Sequence, residues 1–271
     1  MSKKSGKSPL PRLMVAPNGA RRLKSDHPAI PLTDDELVAT ALSCEAAGAD
    51  GIHIHIRSGQ GQHLLDVGRY RALLQQLSEA VPSLYLQVTS EAAERYVASA
   101  QQTMVKALEP DHVSVALREM VRTEEDWAAA SEFYDWAEDA GTDVQHIVYS
   151  PEELRWFLES CDAGRIPGDH HLLQLVLGTY DGSKISRPQD IKLFTALMDE
   201  ADISLDWGLC AFGREETECL VEAARLGGKG RVGFENSLWH SDGSIAPDNA
   251  ARVREVASGI AALSVNSLET T

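Results

Sequence analysis

Eight short apolar runs alternate along this chain with longer amphipathic segments that end near glycine. Apolar runs of about four to eight residues are typical of strands, whereas helices place apolar residues every three to four positions. Repeated alternation of the two, without a change in composition, favours a parallel sheet covered by helices. The predicted strands span residues 13–17, 51–57, 84–89, 112–117, 144–149, 172–177, 203–209 and 230–234.

The number of repeats favours a closed barrel over an open sheet. Eight strand–helix units in 271 residues match the size of a single (β/α)8 TIM barrel. An open dinucleotide-binding sheet is disfavoured because no GxGxxG sequence follows the first strand. We therefore predict a disordered leader over residues 1–11 and one barrel domain over residues 12–271.

Charge and cysteine content limit the classes of partner. The formal net charge is −16, so the chain is expected to bind neither nucleic acid nor anionic membranes. No apolar stretch is as long as a membrane span, and no apolar region follows the basic start to make a signal peptide. The four cysteines show no paired spacing, which predicts reduced thiols and a cytoplasmic protein.

Residues 51–57 carry the clearest chemical signal. Isoleucines alternate with polar residues there, so His53 and His55 point to one face of a strand. Two residues along a strand span roughly 6.5–7 Å, a separation at which two imidazoles can converge on one metal ion. A pair of hydrogen-bonded structural histidines is the alternative interpretation, because a metal site also needs a third ligand.

The last predicted strand supplies a third ligand. Arg231, Gly233 and Glu235 share one face, and Glu235 lies at the strand's end. In a closed barrel the second and eighth strands both flank the first, and active sites lie at the carboxyl ends of the strands. His53, His55 and Glu235 are therefore predicted to meet at the barrel mouth and leave an open position, as in catalytic zinc sites. Iron, manganese and cobalt are alternatives.

Other polar residues fall near strand ends. Thr89 and Ser114 lie on the third and fourth strands, although such hydroxyls more often bond the backbone than act in catalysis. Arg57, after the histidine pair, is a candidate anion clamp or salt-bridge partner. Gly213 and Arg214 follow the seventh strand, where barrels often bind phosphate groups.

Six segments occur together in one order along the chain. They are residues 16–20 (APNGA), 28–33 (PAIPLT), 46–49 (AAGA), 53–57 (HIHIR), 176–178 (VLG) and 231–236 (RVGFEN). In combination they resemble the β-keto acid cleavage enzymes, the family that includes 3-keto-5-aminohexanoate cleavage enzyme. The resemblance runs from about residue 13 to about residue 263. It implies a zinc-bearing (β/α)8 barrel, commonly a homotetramer, with residues 12–271 as the catalytic domain.

The resemblance also implies a reaction and roles for several residues. The family joins a β-keto acid and acetyl-CoA and yields acetoacetate and a new acyl-CoA, so acetyl-CoA is the expected co-substrate. The metal would act as a Lewis acid on the oxygens of the β-keto acid. The matching positions are His53, His55 and Glu235 as metal ligands, Arg231 as support for the catalytic acid–base group, Thr89 and Ser114 as small hydroxyl residues, and Gly213 and Arg214 toward CoA.

Three positions depart from the family pattern. Asn236 occupies the catalytic position where the family has an aspartate, and an amide cannot take up a proton as a carboxylate can. Arg21 stands where the family has a carboxylate, and the fifth strand carries none among residues 145–147. We therefore predict a neutral or anionic substrate tail and poor turnover of 3-keto-5-aminohexanoate. The substitute base is predicted among His146, Glu119 and a hydroxide on the metal.

Two other functions stay open from the sequence. A metal-dependent hydrolase on the same barrel would need no CoA, although such barrels usually carry the paired histidines on the first strand. A barrel that keeps its metal but has lost catalysis would bind β-keto acids without turnover. Asn236 favours this hypothesis because the family has a carboxylate there. Turnover that depends on CoA distinguishes the three functions.

Overall fold

The computed structural model describes residues 7–268, in which strands and helices alternate as the sequence predicts. The strands are β1 (Leu13–Val15), β2 (Gly51–Ile54), β3 (Ile56–Arg57), β4 (His63–Leu64), β5 (Tyr85–Thr89), β6 (His112–Ala116), β7 (Asp143–Val148), β8 (His170–Leu177), β9 (Ser204–Ala211) and β10 (Lys229–Val232). The helices are α1 (Asp34–Ala46), α2 (Val67–Ala80), α3 (Ala98–Leu108), α4 (Leu117–Met120), α5 (Trp127–Ala140), α6 (Pro151–Asp162), α7 (Ile191–Asp199), α8 (Glu216–Arg225) and α9 (Asn249–Leu268).

Eight of these strands close into a parallel barrel. Their order around the barrel is β1–β10–β9–β8–β7–β6–β5–β2, and β2 pairs with β1 to close the ring. The register places His53 beside Gln87 and Thr89 beside Ser114. The single (β/α)8 barrel predicted from the sequence is confirmed.

The second barrel strand is shorter than predicted. β2 ends at Ile54, and the chain after His55 forms β3, which pairs with β4 in an antiparallel hairpin. The backbone carbonyl of His55 accepts a hydrogen bond from Asn18 Nδ2 at 3.0 Å, and the same nitrogen donates to the Pro31 carbonyl at 2.8 Å. His55 therefore lies in the break between β2 and β3, where its carbonyl bonds to the Asn18 side chain and not to a neighbouring strand.

The helices pack their apolar faces on the outside of the barrel. At the start of α1, Thr33 Oγ1 accepts from the Glu36 backbone N–H, and the Glu36 carboxylate accepts from the Thr33 N–H, each at 3.2 Å. This reciprocal capping fixes where the helix begins. Leu37, Ala41 and Cys44, three to four residues apart, are then fully buried. None of the described helices is both long and apolar enough to cross a membrane.

The barrel interior contains a chain of amides. Gln87, Gln145 and Gln174 are all buried. Gln87 Nε2 donates to Gln145 Oε1 at 2.8 Å, and Gln145 Nε2 donates to Gln174 Oε1 at 3.3 Å. Because buried amides require hydrogen-bond partners, this chain fixes the orientation of each side chain in it.

Residues 7–11 of the predicted leader belong to the part of the chain that the structure describes. Lys7 Nζ donates to the His170 carbonyl at 2.9 Å, and the Ser8 N–H donates to Asp143 Oδ2 at 2.9 Å. Leu10 is buried. Residues 7–11 are thus attached to the amino ends of the barrel strands, where the sequence predicted disorder. Residues 1–6 lie outside the described residues.

Candidate metal centre and its cavity

Three donor atoms from two strand ends converge at the mouth of the barrel. His53 Nε2 and His55 Nε2 lie 3.0 Å apart. Glu235 Oε2 lies 3.4 Å from His55 Nε2 and 3.9 Å from His53 Nε2. Within the part of the chain that the structure describes, this is the one group of three His, Cys, Asp or Glu side chains close enough to share a metal ion.

The spacing of these atoms fits a tetrahedral metal. With zinc–ligand bonds of about 2.0–2.1 Å, two ligands of a tetrahedral site lie about 3.3–3.4 Å apart. The observed separations of 3.0, 3.4 and 3.9 Å bracket that value. Glu235 Oε2 is buried and has no hydrogen-bond partner among the described residues, as expected for an atom that binds a metal. The residues present therefore fit zinc.

Gln87 sets the tautomer of His53. Because Gln87 Nε2 donates to Gln145, its Oε1 is the acceptor that faces His53 Nδ1 at 2.8 Å. A proton on Nδ1 leaves the lone pair of Nε2 free for a metal. Burial, and then the positive charge of Arg231, lower the pKa of His53 well below its usual value, so the ring is neutral at pH 7.

Arg231 keeps Glu235 ionised. Arg231 Nη2 donates to Glu235 Oε1 at 3.0 Å and to Cys210 Sγ at 3.4 Å. Burial alone would raise the pKa of Glu235, but the charge of Arg231 and the two imidazoles bring it well below its ordinary value. One carboxylate oxygen thus faces the arginine while the other faces the histidines.

The turn that carries Glu235 is held by close packing on Ala16 and by a buried ion pair. Gly233 has a φ of 140°, and a Cβ there would lie 2.5 Å from the Ala16 carbonyl oxygen, so only glycine fits. The Gly233 N–H donates to Glu216 Oε1 at 3.2 Å, and Glu216 Oε2 accepts from Arg252 Nη2 at 2.7 Å. Both charged side chains are 0% exposed, so a buried ion pair supports the turn.

A cavity of about 490 Å³ opens beside the three donor atoms, a volume typical of small-molecule sites. His53, Glu235, Arg231 and Thr89 border it. Ser114 does not border it; its hydroxyl is buried and has no hydrogen-bond partner within the described residues. The structure therefore brings Arg231 and Thr89 to the same site as the three predicted metal ligands. Ser114 lies outside the lining of the cavity.

Glu91 belongs to the site, although a loop carboxylate in such a sequence position is usually only solvated. It borders the cavity, and its Oε2 lies 3.8 Å from His55 Nδ1. Burial raises the pKa of Glu91, and the charge of Glu235 adds to this shift although the His55 ring opposes it. A signal was present in the sequence, because Gln87, Thr89 and Glu91 continue a period of two past the strand's end.

Arg57 and His146 both turn away from the cavity. Arg57 is 1% exposed, and its guanidinium donates to the carbonyls of Gly19 at 2.8 Å and Gly61 at 2.5 Å. It therefore fixes loops, where the sequence predicted an anion clamp or a salt bridge. The His146 ring lies 4.7 Å from the Phe157 ring, in the layer between the barrel and the helices. From there it cannot act as a base on a ligand in the cavity.

A second cavity of about 280 Å³ adjoins the first. Gly213, with a φ of 100°, borders it together with Asn236 and Trp239. The Arg214 guanidinium lies over the Trp239 ring, 5.4 Å from its centroid. Gly213 and Asn236 thus border the second cavity, and Arg214 lies beside it over Trp239. The residues shared by the two cavities are Thr179, Tyr180, Lys184 and Phe212.

The chain matches known proteins over nearly its whole length. Residues 12–270 match the family model described as beta-keto acid cleavage enzyme. One relative is the 3-oxoadipate:acetyl-CoA acetyltransferase of Cupriavidus necator, 24% identical over 252 residues, which are 90% of this chain and 86% of the relative. Another is the 3-keto-5-aminohexanoate cleavage enzyme of Fusobacterium nucleatum, 23% identical over 88% of this chain and 86% of the relative.

Solved structures share the fold. A ternary complex of ObcA with a C4-CoA adduct and oxalate has a TM-score of 0.68 at 17% identity, covering 88% of this chain and 65% of that one. This chain therefore spans slightly less than two thirds of that protein. A 3-hexulose-6-phosphate synthase has a TM-score of 0.52 at 15% identity, covering 92% of this chain and 99% of that one. At these identities the likeness shows the barrel fold alone.

Proposed function

Because this chain belongs to the β-keto acid cleavage enzyme family, we propose that it converts a β-keto acid and acetyl-CoA into acetoacetate and a new acyl-CoA. The observation that carries the proposal is the group formed by His53, His55 and Glu235 beside a cavity of about 490 Å³. The relatives are named for three different β-keto acids. The part of the cavity around the substrate tail therefore selects among them.

The reaction exchanges one carbon–carbon bond for another. C2 of a β-keto acid lies between two carbonyl groups, so it is the acidic carbon that loses a proton and attacks the thioester carbonyl of acetyl-CoA. The CoA thiolate leaves and attacks the original ketone carbon. The bond between that carbon and C2 then breaks, and C2 recovers a proton. The acetyl group ends in acetoacetate, and the tail of the keto acid ends in the new acyl-CoA.

We propose that His53, His55 and Glu235 hold zinc, with other divalent transition metals as alternatives that these ligand types allow. When bound, the metal polarises the oxygens of the β-keto acid. Arg231 keeps Glu235 ionised and oriented, and Gln87 keeps His53 in the tautomer that presents Nε2. Both contacts position ligands without themselves binding the metal.

Glu91 is the carboxylate that we assign to proton transfer in place of the family aspartate. It borders the cavity and lies 3.8 Å from His55 Nδ1. The other candidate carboxylate, Glu119, is already engaged, because its Oε2 accepts from Gln101 Nε2 at 2.7 Å and from the Ala92 N–H at 3.0 Å. In this assignment a carboxylate oxygen of Glu91 takes the C2 proton and returns it after cleavage.

We propose that acetyl-CoA enters through the second cavity. Arg22 borders this cavity and lies over the Tyr180 ring, 5.1 Å from its centroid, and Lys184 borders both cavities. The Arg214–Trp239 pair completes a set of cations and aromatic rings that suits phosphates and an adenine. The shared lining residues let the thioester end reach the metal centre.

The substrate tail is proposed to be neutral or anionic. Arg21 borders the main cavity, and β7 presents Ile147 to it where the family carries a carboxylate. An ammonium group beside Arg21 would meet a like charge, which Glu94 offsets in part by pairing with that arginine at 3.2 Å. We expect a lower kcat/KM for 3-keto-5-aminohexanoate than for 3-oxoadipate, measured side by side. A higher value for the amino substrate would contradict this assignment.

The test of the proposed function is acetoacetate release from a panel of β-keto acids, with and without acetyl-CoA, on protein of measured metal content. CoA-dependent acetoacetate from any member establishes the reaction. Product formation without CoA would indicate a hydrolase. Ligand-induced stabilisation without turnover, on fully metallated protein, would indicate a barrel that has lost catalysis.

A homotetramer and a cytoplasmic location remain proposals. The first rests on the family resemblance and the second on cysteine usage. Light scattering on the purified protein measures the assembly directly, and a mass other than four chains would contradict the tetramer.

A further inference from the structure

Asn236 carries two unpaired hydrogen-bonding atoms. Its side chain is 1% exposed, and neither Oδ1 nor Nδ2 has a hydrogen-bond partner in the part of the chain that the structure describes. The backbone of Asn236 is fully paired, since its N–H donates to the Gly233 carbonyl at 2.8 Å and its carbonyl accepts from the Gly213 N–H at 3.3 Å. Buried amides nearly always have partners. The described residues leave this side chain without a partner, which a bound molecule or an ordered water would supply.

The position of Asn236 limits what that molecule can be. Asn236 borders the second cavity, which is about 280 Å³ and is partly walled by Phe212, Tyr180 and Trp239. It also directly follows Glu235 in the chain. A ligand that contacts Asn236 and continues into the main cavity therefore passes beside the candidate metal centre.

The two unpaired atoms define the chemical group that fits. Nδ2 donates hydrogen bonds and Oδ1 accepts them. A phosphate or an ionised carboxylate offers acceptors alone and would leave Oδ1 unpaired. An ammonium offers donors alone and would leave Nδ2 unpaired. Two successive amides of one chain offer an N–H and a carbonyl that can face the same side, so together they can pair with both atoms.

We propose that Asn236 binds the two amides of the pantetheine arm of acetyl-CoA and so aligns the thioester with the metal centre. This inference rests on the proposed function, because it takes acetyl-CoA as the ligand of the second cavity. The arm carries two amides between the thioester and the nucleotide, and Arg22 and Lys184 border the same cavity. Asn236 is thus a binding residue for the co-substrate at the position where the family has a base.

The test combines a side-chain truncation with a ligand truncation. Wild type and Asn236→Ala are assayed with acetyl-CoA, with acetyl-pantetheine, which keeps both amides, and with S-ethyl thioacetate, which has none. We expect Asn236→Ala to raise the KM for acetyl-CoA about tenfold and to change the KM for the β-keto acid less than about twofold. The preference for acetyl-pantetheine over S-ethyl thioacetate, as a ratio of kcat/KM, should fall about tenfold.

Two more variants complete the test: a control at another position and Asn236→Asp. Gln75→Ala removes an exposed amide of α2 that borders neither cavity, and its KM for acetyl-CoA should stay near the wild-type value. Asn236→Asp keeps the acceptor and loses the donor, so it should also raise the KM for acetyl-CoA. An unchanged KM with a changed kcat in the Asn236 variants would assign the residue to chemistry and overturn the inference.

Two further measurements separate this inference from the proposed function. Absence of acetoacetate from wild type with every keto acid overturns the proposed function. Calorimetric titration with free CoA still compares the dissociation constants of wild type and Asn236→Ala, and equal values overturn the inference. A crystal structure of the wild type with CoA needs no variant. A pantetheine amide within about 3.2 Å of the Asn236 side chain supports the inference. Ordered water alone on both atoms overturns it.

Discussion

The three candidate metal ligands differ in how firmly the chain holds each one. The His53 ring is fixed through Nδ1 by Gln87, and Glu235 is fixed through Oε1 by Arg231. His55 is fixed through its backbone carbonyl, but its Nδ1 has no hydrogen-bond partner among residues the structure describes. Because outer contacts set the orientation and basicity of metal ligands, we expect the support of His53 to matter most for affinity.

Gln87→Leu should lower the affinity for zinc about 10–100-fold, because His53 loses the acceptor that holds its proton on Nδ1. Competition with a chelator of known affinity measures the change. Gln174→Leu is the matched control, since it removes an amide from the same buried chain without touching His53. Its zinc affinity should stay near the wild-type value, and equal losses in both variants would contradict the role given to Gln87.

Glu91→Gln should lower kcat/KM by about 10²–10⁴-fold, the usual contribution of a general acid–base group, while the protein keeps its zinc. Turnover and metal content are measured on the same preparation. Glu132→Gln is the control, since Glu132 pairs with Lys106 at the surface at 3.2 Å and borders neither cavity. Loss of zinc together with activity would instead make Glu91 part of the metal centre.

At the scale of elements, local patterns predicted the strands and the capped start of α1, whereas long-range contacts decided the rest. The end of β2 depends on Asn18, which lies 37 residues before His55 in the chain. No pattern within residues 51–57 reveals that contact. The same holds for Arg57, whose acceptors are carbonyls of loops that the sequence does not place.

The two faces of a buried strand explain which side-chain directions at the site can be predicted from the sequence and which cannot. A strand of a parallel barrel is covered on both sides, so alternation separates its two faces without showing which one points inward. In β7 the inner face carries Gln145 and Ile147, and His146 points to the helices. For His53 and Glu235 the direction was predictable because His53 lies on β2 and Glu235 follows β10, the two strands that flank β1, and only the mouth lets the side chains meet.

The ion pair between α8 and α9 should be the main support of the turn after β10. Burial raises the pKa of Glu216 to about 7 despite the adjacent Arg252, so unfolding is best compared at pH 8, where the carboxylate is ionised. Glu216→Met should cost about 3–5 kcal/mol, because it leaves a buried guanidinium short of a partner. The double variant Glu216→Met with Arg252→Met should cost no more than either single change. Urea unfolding of the four proteins measures this.

A surface pair on α8 serves as the control for that cycle. Glu222 and Arg225 pair at 2.6 Å near solvent, so Glu222→Met should change the free energy of unfolding by less than about 1 kcal/mol. If Glu216→Met changed stability as little as Glu222→Met, the buried pair would not support the turn.

At the scale of the whole molecule, the acidic chain places cations near the second cavity, although Asp181 and Glu215 border it too. The net charge is −16, yet Arg22, Lys184 and Arg214 lie at or beside the second cavity. A local field set by such groups governs binding more than the distant surface does, because salt screens exposed charges beyond about 8–10 Å. The overall charge therefore disfavours nucleic acid as a partner without disfavouring CoA.

Buried histidines between the barrel and its helices should make the whole fold sensitive to acid. Burial, and then the charge of Lys7, lower the pKa of His171 to about 4, and burial lowers the pKa of His146 well below its ordinary value. Above about pH 6.5 the ring of His171 is neutral in both the folded and the unfolded chain. Between about pH 6.5 and 4 the unfolded chain binds a proton that the folded chain does not, so the free energy of unfolding falls as pH falls.

His171→Gln should therefore flatten the pH dependence of stability below about pH 6.5, by on the order of 3 kcal/mol at pH 4 relative to its value at pH 8. Glutamine keeps a donor for the Gly168 carbonyl, which accepts from His171 Nε2 at 3.1 Å, but it cannot titrate. Urea unfolding at pH 8, 6, 5 and 4 gives the slope for each protein. His170→Gln is the neighbouring control, since His170 is half-buried and contacts Ser204 at 2.8 Å near solvent. Equal slopes for wild type and His171→Gln would show that the acid sensitivity arises from other groups, such as carboxylates whose pKa the fold lowers.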